Sequence, residues 1–131
     1  MDELPIQSGD DVVRVRQLVR NAAADNGLSL VDQTKLVTAA SELARNTLVH
    51  GGGGTARVEV VKAANGRVGV KLYFTDEGPG ITDTELALTD GWSTGTGLGL
   101  GLSGARRLVD EFELTSAPGA GTSVVVVKWS R

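Results

Sequence analysis

The chain has 131 residues, 40% of them hydrophobic and 22% charged, which predicts a single globular domain spanning residues 1–131. It has no cysteine and one histidine, which excludes disulfides and thiol chemistry and argues against a zinc site. The net charge of −3, the acidic start and the lack of a long apolar run favour a cytoplasmic protein that binds neither nucleic acid nor membranes.

Apolar residues recur at helical spacing twice in the first half of the chain. A short edge strand at Leu4–Ile6 is followed by a helix that Ser8 or Asp10 caps and that runs to about Ala24. A second helix begins near Ser29 or Asp32 and runs to about His50, and the four glycines at 51–54 end it.

The second half of the chain is rich in strand patterns. Thr55–Lys62 and Arg67–Thr75 form a hairpin through Asn65-Gly66, residues 112–116 and 122–129 form another, and Gly97–Glu111 is predicted as a third helix. Strands and helices do not alternate as βαβ units. The pattern therefore predicts an α+β two-layer sandwich, with helices on one face of a mixed, mostly antiparallel sheet.

Glu42 and Asn46 lie four residues apart on the second predicted helix, so they share a face nearly opposite Leu43, Ala44 and Leu48. One interpretation is a solvated polar face without function. The other is a functional pair, because an amide oxygen suits Mg²⁺ and a nearby carboxylate can accept a proton from an attacking hydroxyl.

Asp76-Glu77-Gly78-Pro79-Gly80 follows an apolar strand, and this composition is typical of a turn. A functional interpretation pairs the Asp76 carboxylate with the exocyclic amine of a purine. Gly78 and Gly80 would then let the backbone pass close to the base.

Two further glycine-rich segments stand before predicted elements. Gly95–Leu102 opens the third helix, where free backbone N–H groups favour the binding of an anion. The alternative is a mobile loop that binds no ligand. No strand precedes it and no Gly-Lys-Ser/Thr follows, so it is neither a dinucleotide fingerprint nor a P-loop. Gly119-Ala120-Gly121-Thr122 is either a simple hairpin turn or a support for a bound base.

The order of these four motifs resembles the N, G1, G2 and G3 boxes of the GHKL superfamily over nearly the whole chain. The resemblance implies a Bergerat fold that binds ATP. Within that superfamily the chain resembles the RsbT-like switch serine/threonine kinases. This closer likeness is carried by residues 41–46, 76–81, 90–94, 107–112 and 128–131.

The resemblance also implies roles for individual residues. Glu42 would be the general base and Asn46 the Mg²⁺ ligand. The other nucleotide-binding positions would be Asp76, Gly78 and Gly80 at adenine, Gly97, Gly99, Gly101 and Leu102 at the glycine-rich helix start, and Thr122 at the adenine end.

The sequence departs from the family pattern in two places. Ser103 stands where close relatives have proline, and residues 82–96, expected to order over the phosphates, contain no Lys or Arg. Arg45 and Arg106 are the alternative sources of positive charge for the phosphates.

The function implied by the resemblance is Mg-ATP-dependent phosphorylation of STAS-domain proteins of a stressosome, with regulation of a PP2C-type phosphatase. One alternative is an anti-sigma factor that sequesters a sigma factor. A non-kinase ATPase of the same superfamily is the other.

Overall fold

The computed structural model describes residues 2–80 and 101–130, which form five strands and three helices. In chain order these are β1 (Asp2–Ile6), α1 (Gly9–Asp25), α2 (Leu30–Val49), β2 (Gly54–Lys62), β3 (Val68–Asp76), α3 (Gly101–Leu108), β4 (Glu111–Ser116) and β5 (Thr122–Trp129). The predicted phosphate contacts Gly97 and Gly99, and residues 82–96, which were expected to order over the phosphates, lie outside the described residues.

The strands form one sheet in the order β1-β2-β3-β5-β4, and every neighbouring pair is antiparallel. Side chains alternate between the two faces of a strand, so Val70, Leu72 and Phe74 of β3 all point toward the helices and are buried. The predicted α+β sandwich with helices on one face is confirmed.

The helices α1 and α2 form an antiparallel pair joined by residues 26–29, and both lie over the sheet. The Ser29 hydroxyl accepts a hydrogen bond from the Asp32 N–H at 3.1 Å, which caps α2 at one of its two predicted starting points. Val15 and Val19 of α1 and Leu36 and Leu43 of α2 are buried in the shared core. Because α3 packs against the other side of α2, α2 is covered by two helices and by the sheet.

The third helix ends at Leu108, so the predicted end at Glu111 was wrong. The Asp110 N–H donates to the Val127 carbonyl at 2.9 Å, and the Asp110 carboxylate accepts from the Trp129 N–H at 2.7 Å. These bonds fix Asp110 to β5, and the chain therefore enters β4 at Glu111.

No helix within residues 2–80 and 101–130 is long and apolar enough to cross a bilayer.

Candidate functional site

Asp76 is the last residue of β3, and its side chain lies at the end of the sheet that the helices cover. In the strand register it stands opposite Gly54 of β2 on one side and Thr122 of β5 on the other. The residue is only 8% exposed. A carboxylate in such a position loses most of its water, so it has to be matched by hydrogen-bond donors.

The Asp76 carboxylate organises the turn that follows it. Its Oδ1 accepts a hydrogen bond from the Gly78 N–H at 2.9 Å, and no other hydrogen bond reaches the carboxylate from the described residues. Oδ2 therefore keeps its capacity to accept. An exocyclic amine of a purine is a donor of the right kind for that oxygen.

Two glycines allow neighbouring loops to approach Asp76 so closely that no side chain would fit. A Cβ atom on Gly51 would overlap the Asp76 side chain, and one on Gly121 would overlap the Asp76 carbonyl oxygen. Gly78 packs against Gly51 in turn, where a Cβ would lie 2.7 Å from the Gly51 Cα. The loops at 51–54, 77–80 and 117–121 therefore meet around Asp76, the first at its side chain and the last at its main-chain carbonyl.

The sequence patterns predicted that the glycines at 51–54 end the second helix and that Gly121 lies in a hairpin turn or supports a bound base, but they did not predict contacts with Asp76. The signal that could have placed them in the site is their position, because each glycine cluster leads into a strand whose first residue, Gly54 or Thr122, stands opposite Asp76. Single-sequence patterns do not reveal which loops meet in space.

Gly80 has a left-handed backbone with φ of +78°, and a Cβ there would overlap the Ala117 carbonyl. Beside it, the Gly119 N–H donates to the Pro79 carbonyl at 2.7 Å. These two contacts hold the 77–80 loop against the 117–121 loop. The geometry explains why glycine is required at Gly80.

Thr122 is buried, and its hydroxyl lies 2.9 Å from the Ser116 hydroxyl. Ser116 donates to the Gly121 carbonyl at 2.8 Å. This pair of hydroxyls fixes the end of the β4–β5 hairpin next to Asp76. Ser116 was not singled out from the sequence, although it faces Thr122 in the strand register.

Glu42 and Asn46 lie one turn apart on α2, as predicted, but their environments differ. The Asn46 residue is 6% exposed, whereas the Glu42 side chain is 34% exposed. The interpretation of both residues as one solvated polar face was therefore wrong for Asn46. Besides the sheet, α2 packs against both α1 and α3, so more of its surface is covered than its own periodicity predicts.

The end of α2 connects Asn46 with the Asp76 region. The Asn46 carbonyl accepts hydrogen bonds from the N–H groups of His50 at 2.9 Å and Gly51 at 3.4 Å, and Gly51 packs against Asp76. Burial lowers the pKa of His50 below its ordinary value, while the negative charge of Asp76 acts in the opposite direction. Glu42, Asn46 and the Gly51–Asp76 contact thus follow one another along α2.

Of the glycine-rich helix start, Gly101 and Leu102 belong to the described part of the chain. Gly101 is the first residue of α3, and Leu102 is buried in the apolar core. The buried Ser103 hydroxyl has no hydrogen-bond partner among the described residues. The phosphate contacts assigned to this segment stay predictions.

Two cavities adjoin Asp76. One of about 480 Å³ is lined by Gly51–Gly54, Glu77 and Gln7, and one of about 200 Å³ is lined by residues of the β4–β5 hairpin. Thr75 and Asp76 line both cavities.

The described residues contain no group of three or more His, Cys, Asp or Glu side chains that could hold a metal ion. A cation that shares its coordination shell with phosphates and water needs fewer protein ligands, and the Asn46 amide fits that requirement.

The family described as histidine kinase-, DNA gyrase B-, and HSP90-like ATPase matches residues 31–130. The chain belongs to this ATPase family. Serine/threonine-protein kinase RsbT of Bacillus subtilis (strain 168) is 47% identical over 121 residues, which cover 92% of this chain and 90% of the relative. This identity confirms the expected RsbT-like kinase class, and membership of the ATPase family confirms the expected use of a nucleotide.

More distant members of the ATPase family include proteins with a different described role. Anti-sigma F factor of Thermoanaerobacter sp. (strain X514) is 29% identical over 117 residues, which cover 87% of this chain and 82% of the relative. A solved structure of the RsbU and RsbW domains of a Mycobacterium tuberculosis protein superposes with a TM-score of 0.62 at 22% identity. That superposition covers 100% of this chain and 33% of the solved one, and it bears on the fold alone.

Proposed function

We propose that this kinase transfers the γ-phosphate of ATP to a serine or threonine of a STAS-domain protein, and that the unbound kinase activates a PP2C-type phosphatase. The observation that carries the proposal is the arrangement around α2. The buried Asp76, surrounded by a cradle of closely packed glycines that have no Cβ atom, lies near the end of α2. Going back along α2 from that end, Asn46 comes first and the more exposed Glu42 comes next.

The Asp76 cradle supports recognition of adenine. The carboxylate keeps one acceptor oxygen, and a donor that pairs with it replaces the water that burial removes. Gly51, Gly78 and Gly121 let the surrounding backbone pack directly around Asp76, and backbone without side chains suits close contact with a flat ring. A purine amine is therefore the ligand group that best matches this end of the site.

The exposure of Glu42 supports its role as general base. A protein acceptor has to bring its hydroxyl to the base, and a carboxylate that is one-third exposed can be reached by another protein. In the proposed step, the acceptor oxygen attacks the γ-phosphorus while Glu42 takes the hydroxyl proton. The bond from the γ-phosphorus to the oxygen bridging to the β-phosphorus breaks, and ADP leaves with that oxygen.

The burial of Asn46 supports its role at the phosphates. Its position, one turn from Glu42 and next to the Gly51–Asp76 contact, lies between the proposed base and the proposed adenine site. When bound, Mg²⁺ neutralises charge on the phosphates, and the Asn46 amide oxygen would be the group in this chain that holds it.

Transfer of radiolabelled γ-phosphate to STAS-domain proteins from the same genome tests the proposal. We expect acid-stable label on serine or threonine of at least one acceptor, and Glu113→Gln on the exposed side of β4 serves as the matched control variant. A protein that binds ATP but labels none of the acceptors would contradict the proposed function.

The similarity to anti-sigma F factors favours a second candidate, in which the chain sequesters a sigma factor. Pull-down of sigma factors by this chain, carried out beside the transfer assay, separates the two candidates. Capture of a sigma factor without label on any STAS acceptor would favour the anti-sigma role.

A further inference from the structure

A polar groove of about 290 Å³ lies between α1 and α2, apart from the cavities at Asp76. Its polar lining consists of Arg16 and Arg20 on α1 and of Thr34, Thr38, Ser41 and Glu42 on α2. The two arginines are exposed and lie four residues apart, so their guanidinium groups project from one side of α1. Neither the nucleotide site nor the general base requires these arginines.

The positive charge in the groove has no partner in the described part of the chain. Arg14 forms an ion pair with Asp11 and Arg45 forms one with Glu42. No ion pair or hydrogen bond joins Arg16 or Arg20 to a described residue. This local concentration of positive charge contrasts with the net charge of −3 of the whole chain.

The opposite wall of the groove carries hydroxyl groups. Thr34, Thr38 and Ser41 follow one another at spacings of four and three residues, so they form a stripe along one side of α2. The stripe rises by about 10 Å along the helix axis. Arginines facing a row of hydroxyls over that length match an extended chain with several carboxylates better than a single anion.

The direction of the groove links it to Glu42. Since α1 and α2 run antiparallel, Arg20 lies beside the first half of α2, and Arg16 lies beside the half that carries Ser41 and Glu42. We propose that the groove docks an acidic segment of the phosphoacceptor protein and so presents the acceptor hydroxyl to Glu42. This inference rests on the proposed function, in which Glu42 is the base for that hydroxyl.

Kinetics of the full chain with the acceptor found in the transfer assay test the docking role. In Arg16→Glu/Arg20→Glu, the KM for the acceptor should rise on the order of tenfold or more, because charge reversal turns attraction into repulsion. The affinity for ATP should stay within about twofold of the wild type. The effect should shrink as salt is raised, since exposed charges are screened.

Lys62→Glu is the matched control, because Lys62 is exposed at the end of β2 far from Gly54 and Asp76. It makes the same kind of charge change without touching the groove. Arg16→Gln/Arg20→Gln provides a second, milder variant if the double reversal disturbs folding. An acceptor KM that is equal in the groove variants and in Lys62→Glu would overturn the docking role while the proposed kinase function stands.

Direct binding provides a readout that does not depend on phosphate transfer. The probe is a fluorescein-labelled peptide of aspartate and glutamate around one serine, followed by fluorescence anisotropy. The wild type should bind it in a salt-dependent manner, and the double reversal should lose this binding even if no acceptor is labelled. Equal binding by the double reversal and Lys62→Glu would overturn the proposal.

Discussion

The two ends of the proposed site are built in different ways. Around Asp76, three loops approach very closely. A Cβ atom on Gly51 would overlap the Asp76 side chain, and one on Gly121 would overlap the Asp76 carbonyl oxygen. The Glu42 side chain is one-third exposed, forms an ion pair with Arg45 at 3.4 Å and lines an open groove. Backbone packing therefore fixes the proposed nucleotide end, while the proposed acceptor end is open to another protein.

Replacement of the base should have the largest effect. Glu42→Gln keeps the shape of the side chain and removes its ability to take a proton. Phosphate transfer should fall by about 10²–10⁴-fold, the usual contribution of general-base catalysis. The nucleotide affinity should change little, because the interaction is needed mainly in the transition state. Single-turnover transfer with saturating ATP measures the effect, and a wild-type rate would remove Glu42 from the chemistry.

Filling the backbone cradle should affect stability. Gly121→Ala adds a Cβ that overlaps the Asp76 carbonyl, at a residue with φ of +77°. We expect a loss of about 2–4 kcal/mol in the free energy of unfolding, from strain and overpacking together. Gly119→Ala is a matched control, because it has φ of +76° and nothing within 4 Å of the added atom.

The control should lose only about 1 kcal/mol, the cost of a left-handed backbone at a residue with a Cβ. Urea unfolding of the two variants measures the difference. Equal losses would mean that the close approach of Gly121 to Asp76 contributes nothing to stability.

Loss of the Asp76 carboxylate should weaken nucleotide binding. An unmatched amine in a closed pocket costs about 1–3 kcal/mol, so Asp76→Ala should lower ATP affinity on the order of tenfold or more. Calorimetric titration measures the affinity, and Asp25→Ala at the exposed end of α1 is the control. An Asp76→Ala protein that is folded and binds ATP as the wild type does would place the nucleotide elsewhere.

The smallest effect concerns pH. Burial lowers the pKa of His50 in the folded state, so the neutral imidazole is favoured there. This contribution to stability is fully present above about pH 6.5, the unfolded pKa, and decreases as the pH falls below it. Between pH 7.5 and 5.5, the urea midpoint should therefore fall more for the wild type than for His50→Gln. An identical pH dependence of the two proteins would contradict this assignment.

Periodicity predicted the two long helices and the strands closely, because an amphipathic pattern is a local property. It ended the third helix at Glu111 because residues 109–111 continue a helical pattern. The bonds of Asp110 to Val127 and Trp129 come from a strand distant in sequence and override that pattern. Asn46 is likewise buried although the pattern of α2 alone assigned it to a polar face, because burial depends on how other elements pack around a helix.

Of the residues that the motifs singled out, Asp76, Gly78, Gly80 and Thr122 lie together in the structure. The positions of Asp76, Gly80 and Thr122 follow from strand ends and could be expected to adjoin. The contacts of Gly51 and Gly121 with Asp76 depend on three loops meeting in space. Sequence spacing carries no information about such distances between loops.

A paired measurement on Glu42→Gln and Asp76→Ala tests the division between the two ends most directly. Each variant is titrated with ATP and then assayed for single-turnover transfer to the same acceptor at saturating ATP. Glu42→Gln should bind ATP within about twofold of the wild type but transfer phosphate at least about 100-fold more slowly. Asp76→Ala should bind ATP about tenfold or more weakly yet transfer phosphate at close to the wild-type rate once saturated. Two variants that lose the same property to the same extent would contradict the division between the two ends.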